Sequence, residues 1–304
     1  MSTFRRARGP RASTLTRFNR GCGEGGCSMP TDLTRNEYKY EKKPRSVSQL
    51  SSFEKCPMAY KLARIDKVWR RPAAWLQQGT AVHAVAEHYM LRRLGFEPGG
   101  PMTREEAYEV FKDSYQEGIS ESTDVTPNLD WWFSSGPYRG PDDVERRWKI
   151  GLEQVDKVID WIENHPSLEV WSTPDGKPGI ELDLDFMLGD IQIRGFIDAV
   201  LILDGEPMVV DHKTGLKPGD DFQLAVYALA LKKLYGLDVQ RGIYFMAKTG
   251  KPTYPYDLTD WTEEKITERF LAMEAKLEAG EFEPNPGDAC GRCDVALSCE
   301  YSMA

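Results

Sequence analysis

Two carboxylates and a lysine stand at the ends of the two most apolar stretches of the chain. Asp198 lies within "GFIDAVLIL", Asp211 closes "PMVVD", and Lys213 follows two residues later. An Asp-Gly turn joins the stretches, and the 13-residue offset spans one strand, the turn and the next strand, so a β-hairpin brings both acids together. Ionised carboxylates so placed repel, the more so in a low dielectric. A hard divalent cation resolves the conflict, because Mg²⁺ or Mn²⁺ takes oxygen ligands from one or two carboxylates and a substrate phosphate. Lys213 shares the face of Asp211, since strand side chains alternate with period two. There it can hold a phosphoryl oxygen or steady an attacking water. The plainer reading is an Asp211–Lys213 ion pair at a strand end. The chain has six (D/E)xK triplets, but only "DHK" follows an apolar strand and has another strand-borne acid upstream.

Histidine occurs only at positions 83, 88, 165 and 212. In "GTAVHAVAEHYM", Gly79, His83 and Glu87 recur at four-residue steps, which is one face of a helix. Glycine lets that helix approach a neighbour closely, and His83 offers a nitrogen donor that favours Mn²⁺. A packed or surface histidine is the ordinary alternative. Downstream, "FQLAVYALAL" sets Gln223 and Tyr227 on one face of an otherwise apolar helix. They either position a substrate backbone and the lysine or sit at the rim of the core.

Of six cysteines, Cys22 and Cys27 lie near the N-terminus, Cys56 stands alone, and Cys290, Cys293 and Cys299 form C-x2-C-x5-C. Three thiolates at that spacing, with a distant fourth, make a four-sulfur metal site, and spacing alone suits zinc and iron–sulfur equally. The first 28 residues have no apolar h-region, so they are not a secretory signal and disulfides are not expected.

In order along the chain, "GTAVH", "GFIDAV", "VVDHKTG" and "QLAVYA" resemble the RecB-like branch of the PD-(D/E)XK nuclease superfamily. The resemblance spans about residues 46–301 and implies a restriction-endonuclease-like α/β core, a mixed sheet flanked by helices. It implies a metal-dependent nuclease centre in which His83, Asp198, Asp211 and the backbone carbonyl of His212 hold Mg²⁺ or Mn²⁺. Asp198, Asp211 and Lys213 are then catalytic, with Gln223 and Tyr227 as the supporting motif, and Glu87 is a further candidate for a second metal or for substrate. "SVSQLSSFEKCPMAYKL" and the triple-cysteine tail are similar to the iron–sulfur staple of the CRISPR-associated RecB-like exonucleases and of the AddB-type nuclease. That likeness implies a structural 4Fe–4S cluster on Cys56, Cys290, Cys293 and Cys299, clamping the N-terminal helix onto the core. Zinc is the alternative, and Cys22 and Cys27 fall outside the pattern.

These residues need a particular order of elements to position them. Residues 1–45 read as a disordered basic tail, with Met29 a second candidate start. Val47, Leu50 and Phe53 mark a helix from Ser46, and Pro57 opens the next, "PMAYKLARI". A long helix follows over 72–94. Thr103 and Glu106 form a capping box for another. Residues 118–141 read as a long loop containing "WWFSSGPYRGP", and 142–165 as a helix with Val144, Trp148, Leu152, Val155, Ile159 and Ile162 on one face. After Pro178 the period becomes two: "IELDLDFML", a "GD" turn and three more strand-like runs. A helix over 222–235, a strand in "VQRGIYFMAK", a helix over 260–279 and the cysteine tail complete a single domain over 46–304. Its helical insertion, about 100–178, carries no motif.

The chain of 304 residues, 40% hydrophobic and 29% charged, has the composition of a globular protein. No apolar run approaches the roughly 20 residues of a membrane span. Its net charge of −9 is uneven, because residues 1–71 carry 17 Lys and Arg against 6 Asp and Glu. That basic front suits a polyanion, and Lys55, Lys61, Arg64, Lys67, Arg70 and Arg71 are candidates for a phosphate path. Trp131, Trp132, Phe133 and Tyr138 either stack unpaired bases or pack a loop onto the core.

The resemblance implies a cytoplasmic DNA exonuclease on single-stranded ends, 5′-to-3′, in recombination, repair or replication. With no GxxxxGK[ST] motif in the chain, unwinding falls to a helicase or recombination partner. The alternatives are an endonuclease or end-trimming subunit of a recombination or spacer-acquisition complex, and a non-catalytic iron–sulfur DNA-binding scaffold. Intact His83, Asp198, Asp211 and Lys213 argue against the scaffold.

Overall fold

The computed structural model describes residues 38–166, 168–203 and 205–304. Most of the expected tail, with Cys22, Cys27 and Met29, lies outside the described residues. The last residues assigned to that tail are tied to the body. Arg45 bridges backbone to the central hairpin through Gln192 and Arg194, each at 2.8 Å, and its guanidinium pairs with buried Glu274.

Ser46 caps α1 (Val47–Lys55) by accepting from the Gln49 amide at 3.3 Å. Pro57 opens α2 (Pro57–Tyr60), which widens into one π turn over Lys61–Ile65. Three long helices follow: α3 (Ala74–Arg93), α4 (Arg104–Val125), begun by the expected capping box of Thr103 and Glu106, and α5 (Gly140–Glu163). Then come β1 (Glu169–Val170), β2 (Ile180–Leu188), β3 (Ile191–Leu203), β4 (Glu206–Lys213), α6 (Asp221–Tyr235), β5 (Arg241–Met246), β6 (Lys251–Pro252), β7 (Tyr256–Asp257) and α7 (Glu263–Ala279).

The sheet is mixed. β2, β3 and β4 run antiparallel, and β4 pairs parallel with β5 after crossing over through α6, because parallel neighbours need a long connection. β1 also pairs with β3, and β6 and β7 pair with β5. One apolar core joins α3, α4 and α5 to the sheet through residues such as Val82, Phe111, Ile159, Ala199, Val210 and Phe245. α6 touches β2, β4 and β5, and its Phe222 meets Phe270 of α7 with ring centres 6.2 Å apart.

Two sequence expectations are corrected. The loop read over 118–141 is helical as far as Val125, with one short 3-10 turn over Leu129–Trp131. Gly118 is no breaker there: a Cβ would stand 2.3 Å from Gln77 Oε1, so glycine admits the α3 side chain. The three strand runs after the Gly-Asp turn are two, since β3 continues through Gly195.

Gly151 on α5 has the tightest such contact, with a Cβ at 2.1 Å from the buried Phe111 ring. Overpacking costs about 1–3 kcal/mol, more than the roughly 1 kcal/mol a helical Gly→Ala change gains. Gly151→Ala is therefore expected to lower the thermal midpoint by a few degrees. A raised midpoint in a melting curve would contradict this packing.

Candidate active site

The β3–β4 hairpin sets the site. Its register pairs Ala199 with Val210, so the next position outward places Asp198 beside Asp211. Asp198 Oδ2 accepts the His212 amide at 2.6 Å and lies 3.4 Å from Nδ1 of His83 on α3. Gly79, one turn before His83, makes the close approach expected of it, since a Cβ there would lie 3.1 Å from Thr214 Oγ1.

Asp211 is buried, and Lys213 Nζ lies 2.6 Å from its Oδ2. Gln223 on α6 links the group. Its Nε2 donates to Asp211 Oδ1 at 2.7 Å and to Tyr227 Oη at 2.8 Å, while its Oε1 accepts from Lys213 Nζ at 3.1 Å. Burial raises the Tyr227 pKa, so the phenol stays protonated. The His212 ring is buried, 5.9 Å from the His83 ring and 5.7 Å from that of Phe245. Burial pushes its pKa down to about 3, so it is neutral.

One acid went unread in the sequence. Glu181, near the start of β2, faces Asp198 across the β2–β3 hairpin, between the pairs Ile180–Ala199 and Leu182–Ile197. Donor atoms of His83, Glu181 and Asp198 all lie within 4.8 Å of one another, the only such group of three among the described residues. Glu181 holds φ +44°, a left-handed conformation that costs a non-glycine residue of order 1–3 kcal/mol and is concentrated at functional sites. Burial first, then the charges of Asp198, Glu87 and Asp211, push its pKa up to about 8. Burial and the Asp198 charge likewise push Asp211 up to about 6, against the pull of Lys213. Glu87 is near enough to add to this field but is not one of the three clustered donors. Counting outward from the Gly189-Asp190 turn gives the Glu181–Asp198 register directly, so the signal was present in the sequence.

The four cysteines Cys56, Cys290, Cys293 and Cys299 are free thiols lining one cavity of about 170 Å³. The tail that carries three of them forms two short 3-10 turns, Asp288–Arg292 and Ala296–Ser298. Cys56 Sγ accepts the Asn285 amide at 3.4 Å. Backbone amides of Met303 and Gly287 hold the Cys290 thiol below the usual range, whereas burial pushes Cys293 up.

The expected basic path and aromatic cluster are divided among several roles. Lys61 pairs with Asp66, Arg70 with Asp294, and Arg71 donates to the carbonyls of Trp131 and Trp132. Trp132 is buried, with its indole N–H bonded to Thr126, so it packs the loop and has no face for a base. Trp131 and Tyr138 are exposed, and Phe133 packs on Trp75.

A mixed sheet ending in this crowd of acids beside a lysine is the arrangement of a metal-dependent nuclease, and the chain belongs to the PD-(D/E)XK nuclease superfamily, whose sequence profile matches residues 44–300. It is 51% identical over 280 residues to the Gene 69 protein of Mycobacterium phage L5, covering 84% of this chain and 95% of that one. It is 52% identical over 261 residues to the Gene 69 protein of Mycobacterium phage D29, covering 84% and 96%. Among solved structures, the crystal structure of SSO0001 overlaps 53% of this chain and 79% of its own at 14% identity, with a TM-score of 0.30, too loose to carry an argument. Among the described residues, no helix is long and apolar enough to cross a membrane.

Proposed function

We propose that the chain is a Mg²⁺- or Mn²⁺-dependent deoxyribonuclease that removes nucleotides from single-stranded DNA ends. One observation carries the metal-dependent cleavage: Glu181, Asp198 and Asp211 are gathered at one strand end, where burial first and then their mutual charge push two of them toward protonation, with Lys213 and His83 beside them. The single-stranded ends rest on the family resemblance. A divalent cation relieves that repulsion. His83, Glu181 and Asp198 would hold it, with Asp211 and the His212 carbonyl completing the set. A cation so held would supply Lewis acidity, toward a phosphoryl oxygen and toward water.

The chain's own groups do the rest. Lys213 Nζ, fixed between Asp211 Oδ2 and Gln223 Oε1, offers its remaining N–H to a non-bridging phosphate oxygen and offsets the charge that grows there. Gln223 keeps the Asp211 carboxylate and the lysine in register, and Tyr227 anchors Gln223.

We assign the four thiols a structural 4Fe–4S cluster. Among the described residues no three of the thiol sulfurs lie within 4.8 Å of one another, a spacing that suits a multi-atom group better than the closed set of four thiolates around a single zinc ion. Amides aimed at Cys56 and Cys290 favour thiolates. The cluster would tie the α1–α2 junction to the C-terminal turns within a single domain over about residues 46–304. Phage relatives support a setting in the cytoplasm of an infected host, in recombination, repair or replication, with a partner to open duplexes. The 5′-to-3′ direction rests on the family resemblance.

Glu181→Gln is expected to weaken Mn²⁺ binding by at least on the order of tenfold with the melting curve little changed. Unaltered affinity in a metal titration would remove Glu181 from the site. For the activity as a whole, linear DNA labelled at either end is digested beside circular single strands. Mononucleotides released first from the 5′ label, with circles resistant, is the expected result. Nicked circles make the protein an endonuclease, and no cleavage by a cluster-loaded protein returns it to a scaffold.

A further inference from the structure

A second concave feature lies beside the candidate centre and takes no part in it. It is a groove of about 430 Å³ between α3, α5 and the loop after β4, and its lining includes Trp75, Arg146, Arg147, Lys157, Leu216 and Lys248. We infer, on the footing that the protein is a nuclease, that this groove is the track that holds the phosphodiester backbone of a single strand as it enters the centre.

Charge is the first argument. Four cations line the groove against a single acid, Glu153. Asp143 lies beneath Arg146 and Arg147, at 3.9 and 3.7 Å, but it is buried and one carboxylate cannot neutralise two guanidinium groups. The surplus persists on a chain whose net charge is −9, so it is local.

The second is the wall. Trp75 and Arg147 line the groove, the guanidinium lying over the ring at 5.6 Å, and Trp75 is backed from outside the lining by Phe133 at 5.6 Å, over which Arg71 lies at 4.7 Å. A guanidinium beside an aromatic ring suits unpaired bases, whose faces a duplex hides. Leu216, 75% exposed, adds an apolar contact at the rim.

The third is the connection to the centre. Trp75, Gly79 and His83 occupy one face of α3 at four-residue steps, so the groove lies about 12 Å along the helix from the candidate metal ligand. Beneath it a hydrogen-bond chain runs through the buried Gln78 and Gln154. Arg147 Nη1 donates to Gln78 Oε1 at 3.2 Å, Gln78 Nε2 to Gln154 Oε1 at 2.5 Å, and Gln154 Nε2 to the Thr214 carbonyl at 2.9 Å. Thr214 follows Lys213, so the groove floor and the strand end bearing the lysine are one bonded unit.

The test is equilibrium binding of fluorescein-labelled dT12, in EDTA so that no cleavage occurs, across a salt series. The triple variant Arg146→Gln, Lys157→Gln, Lys248→Gln is compared with Lys112→Gln, Lys149→Gln, Lys177→Gln, which removes the same charge from exposed positions elsewhere. A melting curve checks that both fold. The groove variant is expected to bind at least tenfold more weakly, with the slope of log K against log salt reduced by about 2, and the control to change far less. Equal affinity and slope in the two variants would overturn the track, as would tighter wild-type binding of a 12-base-pair duplex than of the strand. Cleavage by the wild type on adding Mn²⁺ is read separately. Its absence would count against the nuclease reading, while the binding comparison still decides the groove.

Discussion

Asp211→Asn is expected to reduce cation-dependent cleavage by on the order of 10³-fold or more while leaving the melting temperature unchanged or raised. The two readouts move in opposite senses for a physical reason. Asn keeps the acceptor oxygen that Gln223 Nε2 reaches at 2.7 Å, so the geometry of the bridge survives. What disappears is a buried negative charge that already crowds Asp198, where burial and that neighbour push the carboxyl up to about 6. Removing a group that repels its surroundings costs little stability. The ordinary alternative, a strand-end ion pair between Asp211 and Lys213 kept for its own sake, predicts the reverse: full activity and a loss of stability, because a partially buried ammonium loses its partner. Activity and a melting curve on one variant therefore separate the two readings.

Cys293→Ala is the second large effect. Loss of all chain-bound iron is expected, with a fall in the melting temperature of about 5 °C or more, since binding energy at a site absent from the unfolded chain is folding energy. The damage should reach the substrate side. Asp294, the next residue, accepts the Arg71 amide at 2.7 Å, and Arg71 in turn holds the Trp131 carbonyl at 2.9 Å and lies over Phe133. A loosened cysteine turn frees the residues that back Trp75 on the groove lining. Metal analysis of the purified protein and its variant checks this. Zinc in place of iron would correct the cofactor, and an iron-replete, equally stable variant would refute the staple.

The hairpin that carries Asp198 and Asp211 was legible because two strong signals agree there, an Asp-Gly turn between apolar runs and acids at strand ends. The α3 motif was legible for the same reason: glycine, histidine and glutamate share a helical period. Glu181 was missed because "IELDLDFML" alternates as an ordinary half-exposed strand does, and only the register across the next turn, with the kink at φ +44°, sets this glutamate apart from Asp183 and Asp185. The end of α4 was illegible because the expected loop begins at a glycine, Gly118, whose meaning is the Gln77 side chain that fills the place of its Cβ. The groove was illegible for a different reason. Trp75, Arg147, Lys157 and Lys248 are spread over more than 170 positions and share no motif, so only the packing of α3 against α5 and the strand ends assembles them.

The most direct test of the central claim is a Mn²⁺ titration of nucleotide release from end-labelled single-stranded DNA, with protein first stripped of divalent cations and with Lys213→Ala run beside it. The account predicts no release before metal is added, saturable release after it, and none from the variant at any concentration. Release that ignores the cation, or that survives loss of Lys213, would contradict it.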